Sequence, residues 1–340
     1  MNKINAIVIG YGYWGPNLAR NINQNSGFNL KFICDLDIKK RNEAASHFSN
    51  VEVIDNYEVA IKKDQIDAVF IATPPTTHFR IALEALKLGK HVLVEKPLAC
   101  SSSQCKELIE EACKKSCILM VDHTFAYTGA VRKMRELSSS SLGDLLYYDS
   151  VRINLGLFQR DVNVLWDLAV HDLAILNNVC NFTPVAVSAT GQAHVDGYPC
   201  NSAYLTLFYD QPFIAHIHCS WMAPVKIRKT LLGGSKKMIV YDDLEPSEKI
   251  KVYDKGISIN PSTEEEHTLR VDYRSADVFI PKLESSEALS LMLDEFSRSI
   301  VTGSTPLTDS ESGLRIVSIL EAADLSLAQK GKPVELSLLD

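Results

Sequence analysis

An α/β domain with a doubly wound parallel sheet, followed by an α+β domain with a large, mainly antiparallel open sheet, is the fold this sequence predicts. Three observations predict it. Up to residue 122, short apolar runs alternate with helix-patterned stretches, the mark of repeated β-α units. After residue 123 the apolar runs lengthen and alternate apolar with polar, as half-buried antiparallel strands do. The 340 residues exceed one typical core and suit two, so the expected domains are 1–122 and 123–340.

The first run, Ile4 to Ile9, leads into Gly10-Tyr11-Gly12-Tyr13-Trp14-Gly15-Pro16 and then a helix pattern. This is G-x-G-x-x-G between a strand and a helix, with Pro16 suited to the first helical turn. Such glycines allow a tight turn and let a pyrophosphate approach the N–H groups of the helix N-terminus. A second strand, Leu30 to Cys34, delivers Asp35 at 20 positions after Gly15, where a dinucleotide site needs a carboxylate for ribose hydroxyls. A carboxylate there repels a 2′-phosphate, so the expected cofactor is NAD rather than NADP. An N-cap role for the aspartates before the helix from Ile38 to Phe48 is compatible with this.

Further strands are expected near Val51–Ile54 and Ala68–Ala72, the latter followed by Thr73-Pro74 and a helix from about Thr77 to Leu88. Thr73, Pro74 and His78 then lie at a strand's carboxyl end beside the cofactor, with helix capping an equal alternative for His78. Val92-Leu93-Val94 reads as a strand buried on both faces that ends in Glu95-Lys96-Pro97. Pro97 fixes its own φ and holds Lys96 extended at the sheet edge where open α/β folds bind ligands. A helix from Ser101 to Lys115 and a strand at Ile118–Val121 complete the first domain. In the second, strands are expected near 145–155, 185–195, 203–209, 213–221, 226–232 and 237–241. One helical stretch spans about 164–178, and two helices near 287–301 and 309–330 end the chain. Ser138 to Ser141 read as a loop and Glu264 to Glu266 as a solvated charge run.

Within 164–178, Asp167 and His171 stand four apart and share a helix face. A carboxylate beside an imidazole orients the ring and suits it to remove a proton from an alcohol. A satisfied core histidine with a surface aspartate is the rival reading.

Composition narrows the function classes. A formal charge of −7 without a dense Lys/Arg block argues against nucleic acid or an anionic membrane as the main partner. No apolar run is long enough to span a bilayer, and the start lacks a signal-peptide layout. The eight cysteines contain no C-x-x-C pair, which points to reduced thiols and a cytoplasmic location. His216 and His218 share a strand face without a third ligand, so no metal site is expected.

Gly10-x-Gly12-x-x-Gly15, Ala72-Thr73-Pro74, Glu95-Lys96-Pro97 and Asp167-x-x-x-His171, in this order along essentially the whole chain, resemble the Gfo/Idh/MocA oxidoreductases. The resemblance implies a Rossmann domain, an open-sheet α+β domain and an active site in the cleft between them. It makes His171 the general base, Asp167 its orienting partner and Lys96 the donor to the reacting oxygen. It places Glu95 and Trp166 near the nicotinamide, with Tyr13 and Trp14 in the glycine turn also contacting NAD. The segments His123-Thr124-Phe125-x-Tyr127, Arg152-x-Asn154 and Asp161-x-Asn163 are similar to the branch acting at C3 of UDP-N-acetylglucosamine derivatives. In that pattern glycine precedes the histidine, and here Asp122 does. The resemblance implies substrate contacts from His123, Tyr127, Arg152, Asn154, Arg160 and Asn163 and a sugar or nucleotide-sugar substrate. A homodimer or homotetramer is expected, with the outer face of the second sheet as a dimer surface. A free polyol or inositol dehydrogenase and a non-catalytic NAD-binding sugar sensor are the alternatives.

Overall fold

The computed structural model describes residues 3–63, 65–156, 158–254 and 277–336. The Glu264 to Glu266 charge run lies outside them. Two compact units form: Met1–Tyr127 with Ser286–Ser318, and Thr128–Ser285 with Ile319–Asp340.

The first unit holds β1 (Ile4–Ile9), α1 (Gly15–Gln24), β2 (Phe28–Cys34), α2 (Ile38–His47), β3 (Glu52–Ile54), α3 (Tyr57–Ile61), β4 (Ala68–Ile71), α4 (Pro75–Lys87), β5 (His91–Glu95), α5 (Ser102–Lys115) and β6 (Leu119–Asp122). The six strands pair in parallel in the order β3-β2-β1-β4-β5-β6, so strand order reverses between β1 and β4. β4 and the centre of β5 are buried throughout, which is why they read as unbroken apolar runs rather than alternating ones. The short α3 has no counterpart in the sequence reading. Five residues are too few to show a helical period, and only Asn56 accepting from the Glu58 N–H marks its start.

The first unit also takes back a segment from far along the chain. A helix at Ala288–Thr302 turns Leu289, Met292, Leu293 and Phe296 into the first core. Phe296 stacks on Phe28 and meets Phe70 edge-on, with ring centroids 6.1 and 5.5 Å apart. The division therefore departs from 1–122 and 123–340, because the apolar stripe of this helix is buried by aromatic residues of the first domain.

The second unit begins with α6 (Gly129–Ser140), whose last turn takes in most of the serine run expected as a loop. Thr128 caps it by accepting from the Val131 N–H. Ser138 and Ser140 return their hydroxyls to the carbonyls of Arg135 and Glu136, so the serines continue the helix rather than break it. Then come β7 (Leu145–Leu155), a π-helical turn at Leu165–Ala169, α7 (Val170–Val179), β8 (Ala186–Gln192), β9 (Ser202–Phe208), β10 (Ile214–Ser220), β11 (Met222–Gly234), β12 (Met238–Asp242), β13 (Ile250–Tyr253) and β14 (Val278–Phe279). Counting the helix at Ala288–Thr302 as α8, the chain closes with α9 (Ser310–Ala328), within which the unit boundary falls, and β15 (Val334–Glu335). The nine strands lie in the order β14-β13-β12-β11-β7-β10-β9-β8-β15, antiparallel except for β7 beside β10. No helix among the described residues is long and apolar enough to cross a membrane.

Candidate active site

At the carboxyl edge of the first sheet, where β1 and β4 part, Gly10, Gly12, Asp35, Thr73 and Pro74 line one cavity of about 730 Å³. The three motif glycines differ in what they do. A Cβ on Gly10 (φ +95°) would stand 2.5 Å from the Ala72 carbonyl oxygen, and one on Gly15 would stand 2.1 Å from that of Gly10. Both are demanded by backbone packing. A Cβ on Gly12 would meet nothing within 4 Å, so Gly12 keeps open space ahead of α1, the room a pyrophosphate needs at a helix N-terminus. Asp35 is held by the N–H groups of Tyr11 (2.6 Å) and Asp37 (2.8 Å). Arg41, which lines the same cavity, donates to the carbonyls of Asp35 and Leu36, each at 2.9 Å. These residues fit NAD. Tyr13 is 94% exposed on the glycine turn. Trp14 turns inward and its indole N–H donates to Asp122 Oδ2 at 2.8 Å.

His78 is fully buried and does not reach the cavity. Its Nδ1 lies 2.8 Å from the Pro97 carbonyl and its Nε2 2.8 Å from the Thr73 carbonyl. Burial pulls its pKa below the usual imidazole value, and the field of Lys96 adds to this. Its place is behind the site, tying the segment after β4 to the segment after β5, rather than on the cofactor. The Lys96–Pro97 peptide is cis.

Glu95 and Asp122 are cross-strand partners at the ends of β5 and β6. Burial first, and the Asp122 carboxylate second, push the Glu95 carboxyl well above its ordinary range, although its own Oε2 accepts from the Lys96 N–H. Asp122, 2% exposed, also accepts from the N–H and hydroxyl of Thr124. The acid that replaces the glycine of the resembling pattern thus ties the glycine turn to the last strand. His123 is 2% exposed, and neither ring nitrogen has a hydrogen-bond partner among the described residues. Burial and the Lys96 charge pull its pKa down to about 3, so it is neutral near neutral pH. Tyr127 leaves the substrate set: it is 5% exposed in the first core and its hydroxyl donates to Glu295.

In the second unit the residues expected to do proton chemistry sit on one short segment. Asn163 opens it, accepting from the N–H groups of Leu165 and Trp166 while donating to Asp324 Oδ1 at 2.6 Å. The Trp166 indole donates to the other Asp324 oxygen at 2.8 Å. Burial raises the Asp324 carboxyl above its ordinary value against the pull of these two donors. Asp167 lies in the π turn, whose marker is the Val170 N–H reaching back five residues to the Leu165 carbonyl. Its carboxylate accepts from the Trp221 indole N–H at 3.0 Å. His171 follows, half-buried, at the start of α7. A plain helix was expected here, and the extra residue of the π turn changes the register between Asp167 and His171.

Arg152 is not available to a substrate anion. It is 3% exposed, and its Nε and Nη2 donate to the two oxygens of Asp172 at 2.6 and 3.2 Å. Burial lowers its pKa, and the Asp172 carboxylate more than restores it. Arg160 is exposed and packs on Tyr198, donating to its hydroxyl at 3.1 Å. Asn154 is half-buried near the end of β7, and Asn163 is committed to Asp324 as above. Asp172, Trp221 and Asp324 escaped the sequence reading. The role of each is visible only once the element it faces is known.

The first unit has the turn, the carboxylate and the cavity to hold a dinucleotide and carries Lys96 after a strand end, and the second unit carries an imidazole and an oriented carboxylate on one segment. Two consecutive family models match the chain, together over more than half of it. They are the NAD-binding Rossmann-fold domain of the GFO_IDH_MocA oxidoreductase family over residues 4–123 and the GFO/IDH/MocA C-terminal domain over residues 132–240. An oxidoreductase of Streptococcus pneumoniae is 28% identical over 54% of this chain, a match spanning only 52% of that relative's length. The UDP-N-acetylglucosamine 3-dehydrogenase of Acidithiobacillus ferrooxidans is 25% identical over 75% of this chain and 76% of its own. The solved structure of that enzyme superposes with a TM-score of 0.83 at 21% identity, over 97% of this chain and 99% of that one. GenD2 from gentamicin A biosynthesis, solved in complex with NAD, superposes with a TM-score of 0.82 at 19% identity, over 99% and 97%. This chain belongs to the GFO/IDH/MocA family of NAD-binding oxidoreductases.

Proposed function

We propose that the protein oxidises or reduces a ring secondary alcohol or ketone, at C3, of a nucleotide-linked sugar used in surface-polysaccharide synthesis. The observation that carries this reading is the match to a UDP-N-acetylglucosamine 3-dehydrogenase over three quarters of both chains. The Lys96, Asp167 and His171 set supports it. NAD, when bound, supplies the hydride acceptor or donor. Gly12 leaves room for its pyrophosphate, and Asp35, with Arg41 turned to the backbone, favours it over NADP. The expected result is tighter binding of NADH than NADPH by titration calorimetry, and the reverse order would refute the role of Asp35.

Lys96 hydrogen-bonds the reacting oxygen and stabilises the negative charge that develops there. His171 takes the hydroxyl proton, and Asp167, itself fixed by Trp221, orients the imidazole. Burial and the Asp122 carboxylate push the Glu95 carboxyl well above its ordinary range, which favours its neutral form and so weakens its neutralisation of the Lys96 charge.

The test is near-ultraviolet nicotinamide absorbance with stoichiometric protein and NAD⁺, across UDP-N-acetylglucosamine, UDP-sugar acids, free hexoses and inositols. A burst confined to UDP-linked substrates is expected. A burst with inositol or free sugar alone would move the activity to polyols, and none at all would point to a sensor. Lys96→Ala and His171→Ala should each lower turnover by about 100-fold or more while NAD affinity stays within a factor of about two.

A further inference from the structure

β7 carries Tyr148, Ser150 and Arg152 at alternate positions, so all three side chains leave the same face of the sheet. Their exposures are 1%, 1% and 3%, and all three converge on one residue in the first turn of α7. The Tyr148 hydroxyl donates to the Asp172 carbonyl at 3.1 Å, and the Ser150 hydroxyl to Asp172 Oδ1 at 2.6 Å. Arg152 closes on both carboxylate oxygens. Asp172 is 1% exposed and is joined by a peptide bond to His171.

We propose that Asp172, gripped by Ser150 and Arg152, is a positioning residue that fixes where the His171 ring stands. The proposal rests on the reading of His171 as the general base. Stability alone is a poor reason for this cluster, because desolvation of a buried ion pair offsets most of its attraction and an apolar pair of similar volume does as well. What the charged pair supplies is direction: four bonds from one strand leave the Asp172 backbone and carboxylate a single placement. That placement matters here because a π turn precedes it, and such a turn shifts the register of the residues that follow, His171 first among them. Upstream the same segment is anchored by Asp324 and Trp221. Asp172 is the downstream anchor, and His171 lies between the two.

The test compares the full-length protein with Arg152→Lys and Ser150→Ala by NMR of ¹⁵N-labelled histidine rings, with the His171 signals assigned by their loss in His171→Ala. His216 and His218 serve as internal controls, because they stand on β10 beside Asp149 and stack on Tyr204, on the face opposite Arg152. The expected result is a His171 ring signal that shifts and broadens, more in Arg152→Lys than in Ser150→Ala, while His216 and His218 stay fixed. Ser150→Ala removes one hydroxyl only and keeps the test open should Arg152→Lys fail to fold. An unmoved His171 signal, or histidine signals that all move together, would overturn the proposal. Full turnover in His171→Ala would remove the base role and leave the NMR result standing, so the two failures are separable.

Discussion

At the carboxyl edge of the first sheet, site residues are placed by main-chain groups. Gly10, Gly15 and Asp35 are held by main-chain contacts with Ala72, Gly10, Tyr11 and Asp37. In the second unit, Asn163, Trp166, Asp167 and Asp172 are instead held by side chains 20 to 161 positions away. The first kind of construction tolerates almost no change at a few glycines and much elsewhere. The second spreads the same demand over a carboxylate, an indole and a guanidinium, each of which can be removed singly.

The sharpest break of this contrast is within the glycine turn. Gly15→Ala drives a methyl into the Gly10 carbonyl, so the turn must open, at a cost of about 1–3 kcal/mol in stability and about 100-fold in NAD affinity. Gly12→Ala has space for its methyl and should keep the melting temperature while weakening NAD about tenfold. Calorimetric titration and thermal melts of the pair read both quantities. Equal melting temperatures for the two variants would show that the Gly15 contact is not the constraint described.

The corresponding break in the second unit is Asp324→Leu. It strands the Trp166 indole N–H and the Asn163 amide, costing about 1–3 kcal/mol, and frees the start of the π turn. Turnover should fall about tenfold through misplacement of Asp167 and His171, with NAD affinity unchanged. A loss of NAD affinity as large as the loss of turnover would contradict the separation between the two constructions.

What the sequence made legible follows the same division. The parallel sheet, the glycine turn, Asp35 and the Glu95-Lys96-Pro97 edge were readable because their determinants are local: a period, a turn residue, a strand end. The return of α8 to the first core was not, because an amphipathic helix says that it has a partner and not which one. His78, Tyr127 and Arg152 looked like ligand contacts for a related reason. A polar side chain beside a motif reads alike whether it meets a ligand, as expected, or the Thr73 carbonyl, Glu295 or Asp172, as found. The inward-facing run Tyr148, Ser150, Arg152 held the clue, since polar residues on the buried face of a strand require buried partners.

His123 belongs to neither construction and gives the smallest effect at neutral pH. Its ring is buried with both nitrogens lacking partners among the described residues, a cost of about 1–3 kcal/mol that folding alone does not explain. With its pKa held at about 3 against 6.5 in an open chain, the unfolded state binds a proton between these values and the native state does not. Stability therefore rises with pH through that window, levels above it, and is lost on acidification at about 1.4 kcal/mol per pH unit from this group. His123→Leu, of similar volume, should flatten that slope and leave the protein at least as stable at pH 7. If His123 faces substrate, the same variant should also raise KM without changing NAD affinity. Urea melts from pH 4 to 8 decide the first point, and an unchanged acid slope would mean that the ring is protonated or solvated in the native protein. A stabilised variant with impaired turnover would identify His123 as a residue that sacrifices stability for function, in a unit otherwise fixed by its backbone.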